Sequence, residues 1–279
     1  MTAVFAHRGF TGQPGDAHRP RENTLEAYEA ARLAGADGVE LDVRMTADGK
    51  LAVHHDATLP GGKPIATIRA AELPPYVPLL EAAIGACEPM AVNVEIKHEP
   101  GSDPDRRLAV AVAELVAELV ARRAVGAAGD AAGGPRGAGG PRGAGGAGGA
   151  GGAGRTGEVR PHAVLVSSFD PGSIRAARAA APDLAAGLLV DWRTPAAAAV
   201  EEAMALGCAT LHPFVAQVDL GLAEAARAAR LGLHVWTVNA DADILAMAGL
   251  GVEAVITDRA AAAVALLGGR VGGGARARR

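Results

Sequence analysis

Aromatic side chains are scarce in this chain: four Phe, two Tyr and two Trp among 279 residues. The core must instead be filled by Val, Leu, Ile and Ala, which an apolar content of 49% can supply. Basic residues are not in excess either. Lys and Arg number 27 against 31 Asp and Glu, for a net charge of -4. No global basic field attracts a polyanion, so nucleic acid is not an expected partner, and any anion must be recognised locally. Cysteine is nearly absent. Cys87 and Cys208 stand far apart in no metal-like spacing, which argues against a disulfide framework or a thiolate zinc site. Two buried free thiols are expected. No segment approaches the roughly 18 uninterrupted apolar residues of a membrane span, and Glu114 and Glu118 break the longest helical stretch. No charged and apolar leader precedes the first strand-like run, Val4-Phe5-Ala6. These absences predict a soluble cytoplasmic protein without stable membrane insertion. They specify no oligomeric state.

What is present is alternation. Strand-like runs lie at Ala3–Ala6, Gly38–Val43, Ala91–Ile96, Ala163–Ser167, Ala186–Val190, Thr210–His212, His234–Val238 and Ala254–Thr257. Several are continuous apolar runs, as expected for strands covered on both faces of a parallel sheet. Helical patterns fall between them at Asn23–Ala34, Pro104–Ala124, Pro171–Ala181, Pro195–Leu206, Leu220–Leu231, Asp241–Leu250 and Arg259–Leu267. Asn23 or Thr24 is the expected N-cap of the first helix, and Gly35 its stop. Strand–helix alternation of this length predicts an α/β fold, a (β/α)8 TIM barrel. One further strand, Leu51–His55, follows Val43 too soon for a parallel crossover. With Asp48-Gly49 as a turn, it reads as a hairpin return that brings His55 back beside Glu40 and Asp42. The expected organisation is one barrel domain over residues 1–268, with a flexible Gly- and Ala-rich loop at 126–157 and a disordered basic tail at 269–279.

The strand ends carry the chemistry. Glu40 and Asp42 are two apart on one strand and so share a face. Together with Glu95 they form an oxygen-only set that suits Mg²⁺ or Ca²⁺. Arg8 can fork onto phosphate oxygens, and Lys97, on the face of Glu95, can neutralise charge developing on a phosphoryl group. His7 and His55 can move protons near neutral pH. Placed on opposite sides of a phosphorus atom, they would permit in-line displacement. His54 must face away from His55 and reads as structural. Ser168, His212, Trp236 and Asn239 fall at later strand ends as candidate substrate contacts, with Trp236 able to wall a glycerol-sized body.

The segments AHRG, ENTLEAYEAARLAGADGVELDVRMTADGKLAVHHDATL, VEIK, VSSF, LHP, WTVN and VITD resemble the glycerophosphodiester phosphodiesterase family. That family belongs to the phosphatidylinositol-phospholipase-C-like barrels. The resemblance implies hydrolysis of a small glycerophosphodiester to glycerol 3-phosphate and an alcohol with a divalent metal. It maps the catalytic histidines onto His7 and His55, the metal carboxylates onto Glu40, Asp42 and Glu95, and the phosphate-handling cations onto Arg8 and Lys97. Two features depart from the family pattern. Arg21 stands where the family usually has Pro. The segment after His55-Asp56-Ala57-Thr58-Leu59 runs quickly through 61–78 to Leu79-Leu80-Glu81-Ala82, so the capping insertion is reduced. A smaller cap would open the mouth to other leaving groups, which makes a lysophospholipase D-like activity the second reading. A non-catalytic barrel that binds a phosphorylated ligand is the third.

Overall fold

The computed structural model describes residues 1–12, 15–17, 19–98, 106–132 and 164–268, and only the backbone of 123–132 and of Ala196. Nine strands form one sheet: β1 Ala3–His7, β2 Gly38–Met45, β3 Leu51–Val53, β4 Ala91–Ile96, β5 Val164–Ser168, β6 Ala186–Val190, β7 Thr210–Pro213, β8 Gly232–Val235 and β9 Ala254–Thr257. Eight of them run parallel and close on themselves, because β1 pairs with β9 on one side and β2 on the other. The ninth, β3, pairs antiparallel with β2 through Val43 and Val53. The barrel and the hairpin return expected from the spacing are therefore both present.

Helices cover the outside: α1 Leu25–Leu33, α2 Leu80–Ala86, α3 Arg107–Ala132, α4 Pro171–Ala180, α5 Ala196–Ala205, α6 Leu220–Ala228, α7 Asp241–Leu250 and α8 Ala260–Gly268. Between strands and helices lies the main core, built from Val, Leu, Ile and Ala with Tyr28 buried among them. Phe5, Ala91, Ala254 and Ile256 form a separate cluster inside the barrel. Gly38 is required there: a Cβ at that position would stand 2.5 Å from the Phe5 ring. Cys87 is buried, but Cys208 is only half-buried, and neither is in a disulfide among the described residues.

Of the two caps expected for α1, one is used. The cap of α1 is Thr24, whose side chain accepts from the Ala27 amide, while Asn23 sits in the left-handed region at φ 56° and is used elsewhere. Helix α3 runs through 126–132, part of the segment expected as loop. Gly126 and Gly129 are single glycines among alanines there, and each costs a helix only about 1 kcal/mol. The rest of that loop and the tail at 269–279 lie outside the described residues. Finally, the short insertion after His55 carries its own small core of Ala52, Leu59, Ile65, Ile68 and Val77, with Tyr76 packed against it. Among the described residues, no helix is long and apolar enough to cross a membrane.

Candidate active site

Strand register assembles the site. His7 is paired with Glu40, Asp42 with Glu95, and Glu40 also faces Asn93. Because alternate residues of a strand point to one face, these side chains meet inside the C-terminal mouth of the barrel. Oxygens of Glu40, Asp42 and Glu95 come within 4.8 Å of one another.

Three buried carboxylates at this spacing repel each other, and the neighbouring cations balance them unevenly. Lys97 Nζ lies 2.8 Å from Asp42 Oδ1 and 2.6 Å from Glu95 Oε1. Arg8 Nε approaches Asp42 Oδ2 at 3.4 Å, and its Nη1 donates to Glu22 Oε1 at 3.1 Å. Asn23 Nδ2 donates to Asp42 Oδ2 at 2.7 Å, so the residue in the left-handed turn is a tertiary anchor for the cluster. Burial would push Asp42 up, but Lys97 and Arg8 outweigh it and hold the carboxyl down at about 2. Glu40 has no such partner. Burial and the Asp42 charge push it up to about 8, against the opposing pull of His7 and Lys97. Glu95 is also raised, burial outweighing the attraction of Lys97. Glu40 Oε2 accepts from the Arg8 amide at 3.1 Å, whereas its Oε1 is buried without a hydrogen-bond partner. An orphaned carboxylate oxygen beside two more carboxylates fits a hard divalent cation, and these three residues could hold one.

His7 is held from the far side of the barrel closure. Its Nδ1 lies 2.6 Å from Asp258 Oδ1, in the loop after β9, and its Nε2 faces Glu40 Oε2 at 3.9 Å. Asn239 Nδ2 donates to Asp258 Oδ2 at 2.6 Å, and Asn239 Oδ1 accepts from the Asp258 amide at 3.0 Å. Burial works to lower the His7 pKa, but the Asp258 hydrogen bond and the Glu40 charge raise it above the ordinary imidazole value. His55 is shifted the other way, by burial and then by Lys97. Its Nδ1 bonds Asp56 Oδ1 at 2.8 Å, and the ring lines an open cavity of about 550 Å³ beneath the insertion.

The sequence matches the glycerophosphoryl diester phosphodiesterase family over residues 7–131 and 153–262. The chain belongs to this family. A glycerophosphodiester phosphodiesterase of Caldanaerobacter subterraneus subsp. tengcongensis is 27% identical over 282 residues, covering 92% of this chain and 94% of that protein. One from Bacillus altitudinis is 56% identical over 59 residues, a segment that covers 21% of this chain and 22% of that protein. In fold, the chain is similar to an Oleispira antarctica phosphodiesterase solved in complex with the product sn-glycerol-3-phosphate, with a TM-score of 0.72 and 22% identity over 96% of this chain and 97% of that one.

In this member of the glycerophosphoryl diester phosphodiesterase family, His7, Arg8, Glu40, Asp42, His55, Glu95 and Lys97 converge at one mouth. The later candidates are distributed differently. Asn239 reaches the site through Asp258. Ser168 is buried, donating to the Ile96 carbonyl and accepting from the Asp170 amide. His212 is fully buried inside the barrel, bonded to Thr210 at 2.8 Å and 4.8 Å from the His234 ring, and burial drives its pKa down. Trp236 donates to the His212 carbonyl and stands edge-on to Phe169 and Phe214. Phe214 in turn meets Trp192, so four aromatics form an arc after β5–β8. His54, read as structural, bonds the Asp56 carbonyl at 3.0 Å and also lines the cavity. Sequence reasoning missed Asp258, Asn23 and Glu22. Asp258 ends the VITD segment, and that motif is the one signal that pointed to it.

Proposed function

We infer that this protein hydrolyses glycerophosphodiesters to glycerol 3-phosphate and an alcohol with the help of a divalent cation. The observation that carries the reading is the convergence, at one barrel mouth, of two histidines and two cations on three carboxylates whose oxygens lie within 4.8 Å of one another. Family membership and the product-bound Oleispira structure support the same substrate class. The residues that would hold the cation are Glu40, Asp42 and Glu95. Their oxygen-only donor set favours Mg²⁺ or Ca²⁺. Bound there, the cation would supply Lewis-acid stabilisation of charge on the phosphoryl oxygens.

The residues of the chain divide the remaining work. With its Nδ1 hydrogen on Asp258, His7 presents an unprotonated Nε2 to the cluster and acts as general base. It takes the proton of the attacking oxygen, the glycerol 2-hydroxyl or a water. A P–O bond forms to that oxygen as the bond to the leaving alcohol breaks, and His55 gives its proton to the departing oxygen. If the 2-hydroxyl attacks, the resulting cyclic phosphate is opened by water with the two histidines exchanging roles. Arg8 and Lys97 stabilise the added phosphoryl charge. Placing the acid at His55 follows from its position on the cavity, where a variable alcohol has room to leave.

The test is release of glycerol 3-phosphate from glycerophosphoglycerol and glycerophosphocholine. Release should vanish in EDTA, return with Mg²⁺ or Ca²⁺, and be lost in His7→Ala and His55→Ala. Undiminished release from the chelated enzyme would overturn the cation assignment. Release from no glycerophosphodiester would overturn the hydrolytic reading. The exposed edge of the aromatic arc, Phe169 and Trp192, favours a second reading in which an acyl chain rests there. A lysophospholipid assayed in parallel separates a lysophospholipase D-like activity from the first.

A further inference from the structure

The open cavity beside His55 is bordered by the short insertion. Arg21, Glu22, His54, His55, Asp56 and Tyr76 supply its polar and aromatic walls. The carboxylates are already engaged. Glu22 accepts from Arg8 at 3.1 Å, and Asp56 is bonded to His55 at 2.8 Å. Arg21 is exposed and makes no ion pair with a carboxylate among the described residues. Its guanidinium carbon instead lies 4.0 Å from the centre of the Tyr76 ring.

That stack settles the character of the pocket. A quaternary ammonium group is recognised by the face of an aromatic ring, often with carboxylates nearby. Here Tyr76 is the aromatic residue of the wall, the Arg21 cation already covers its face, and the nearby carboxylates are hydrogen-bonded elsewhere, Glu22 to Arg8 and Asp56 to His55. A cationic headgroup would meet the Arg21 charge at the surface it needs. The same guanidinium offers several N–H donors to hydroxyl or anionic oxygens.

We propose that this cavity is the leaving-alcohol subsite and that Arg21, stacked on Tyr76, selects hydroxyl-bearing, non-cationic alcohols against choline-like ones. The proposal rests on the hydrolytic reading above and adds the substrate class to it. Arg21 stands at the edge of the site, so its replacement leaves the carboxylate cluster and both histidines in place.

The experiment compares kcat/KM for glycerophosphoglycerol and glycerophosphocholine, both read as glycerol 3-phosphate release with the cation present. The wild type should favour glycerophosphoglycerol. Arg21→Ala should move the ratio toward glycerophosphocholine by roughly two- to fivefold, the scale of a single exposed cation–π interaction between the ammonium and the ring. Arg21→Ala combined with Tyr76→Leu should lose that gain, because the uncovered ring is what the ammonium would use. A wild type that favours glycerophosphocholine, or a ratio unchanged in Arg21→Ala, overturns the proposal while hydrolysis stands. A gain that survives in the double variant overturns the aromatic part of it. Release from neither substrate overturns the hydrolytic reading, and the proposal with it.

Discussion

Asp258→Asn tests whether the support behind His7 matters to the chemistry. The carboxylate lies 2.6 Å from His7 Nδ1 and is itself held by Asn239 at 2.6 Å. Asparagine has the same shape, so the loop after β9 should keep its course. What changes is the proton. A carboxylate can only accept and therefore fixes the hydrogen on Nδ1, whereas an amide can donate to Nδ1 and fix it on Nε2, the wrong tautomer for a base. A positioned general base contributes on the order of 10² to 10⁴ in rate. The Asp258 side chain is 50% exposed, so solvent can partly replace it, and the low end applies. The expected loss in kcat is about a hundredfold, with KM little changed.

The same substitution has a second signature. His7 is raised and His55 lowered from the ordinary imidazole value, so the upper of the two histidine titrations belongs to His7. Removing Asp258 removes a group that raises His7, while burial continues to lower it. The upper inflection must therefore fall to lower pH and narrow the bell of kcat/KM. Imidazole NMR titration of the metal-free protein should show the same downward move at His7 and little at His55. A purely structural contact would change stability without moving the inflection. Activity within threefold of wild type, with both titrations in place, would refute the reasoning.

The carboxylate cluster makes the metal-free protein sensitive to pH. Glu40 keeps its proton up to about 8 when folded but ionises near 4.5 when unfolded, so its contribution is full below 4.5 and is lost as pH rises through 8. The melting temperature in EDTA should fall across that window; Glu40→Gln should flatten the slope, and a persisting slope would assign it to another group. Added Mg²⁺ or Ca²⁺ should raise the wild-type melting temperature most at the alkaline end and do little for Glu40→Gln. For the acid and base roles, a glycerophosphodiester with a p-nitrophenolate leaving group needs no protonation. His55→Ala should recover activity on it while His7→Ala stays inactive, and the opposite pattern would exchange the two assignments. Gly9→Ala places a Cβ 2.6 Å from the Ala27 Cβ at φ +83°. Left-handed strain and overpacking together should cost about 2 to 4 kcal/mol in urea unfolding, and wild-type stability would show that β1 and α1 can separate freely.

The sequence made the barrel and most of the mouth legible because both depend on local periodicity. Alternating apolar runs and helices fix a parallel closed sheet. Residues two apart share a face, so Glu40 with Asp42 and Glu95 with Lys97 could be paired from spacing alone. What stayed hidden depends on closure. His7 and Asp258 are 251 residues apart, and they meet only because β9 completes the ring beside β1. Asn23 looked like a helix cap because such residues usually are; its bond to Asp42 needs the loop after β1 to fold back over β2. His212 follows the strand-end pattern, yet it is fully buried inside the barrel against Thr210. Strand position alone does not give depth in a barrel.

Charge balance explains why the site is built from so many ionic groups. Lys97 is held by Asp42 and Glu95, and Arg8 by Asp42 and Glu22. Both cations that should meet a phosphodiester are therefore occupied by carboxylates. Glu40, the carboxylate without a cation of its own, is the one driven to hold a proton near neutrality. A divalent cation drawing on all three carboxylates would relieve that repulsion and loosen the hold on Lys97 and Arg8 together. The two cations would then be free to turn to the phosphoryl oxygens. Cation and substrate would then each favour the binding of the other, and by linkage the two effects would be equal in size. The carboxylate–cation network would then act as a store of phosphate-binding groups neutralised until the cation binds, and its cost in burial would couple the two ligands.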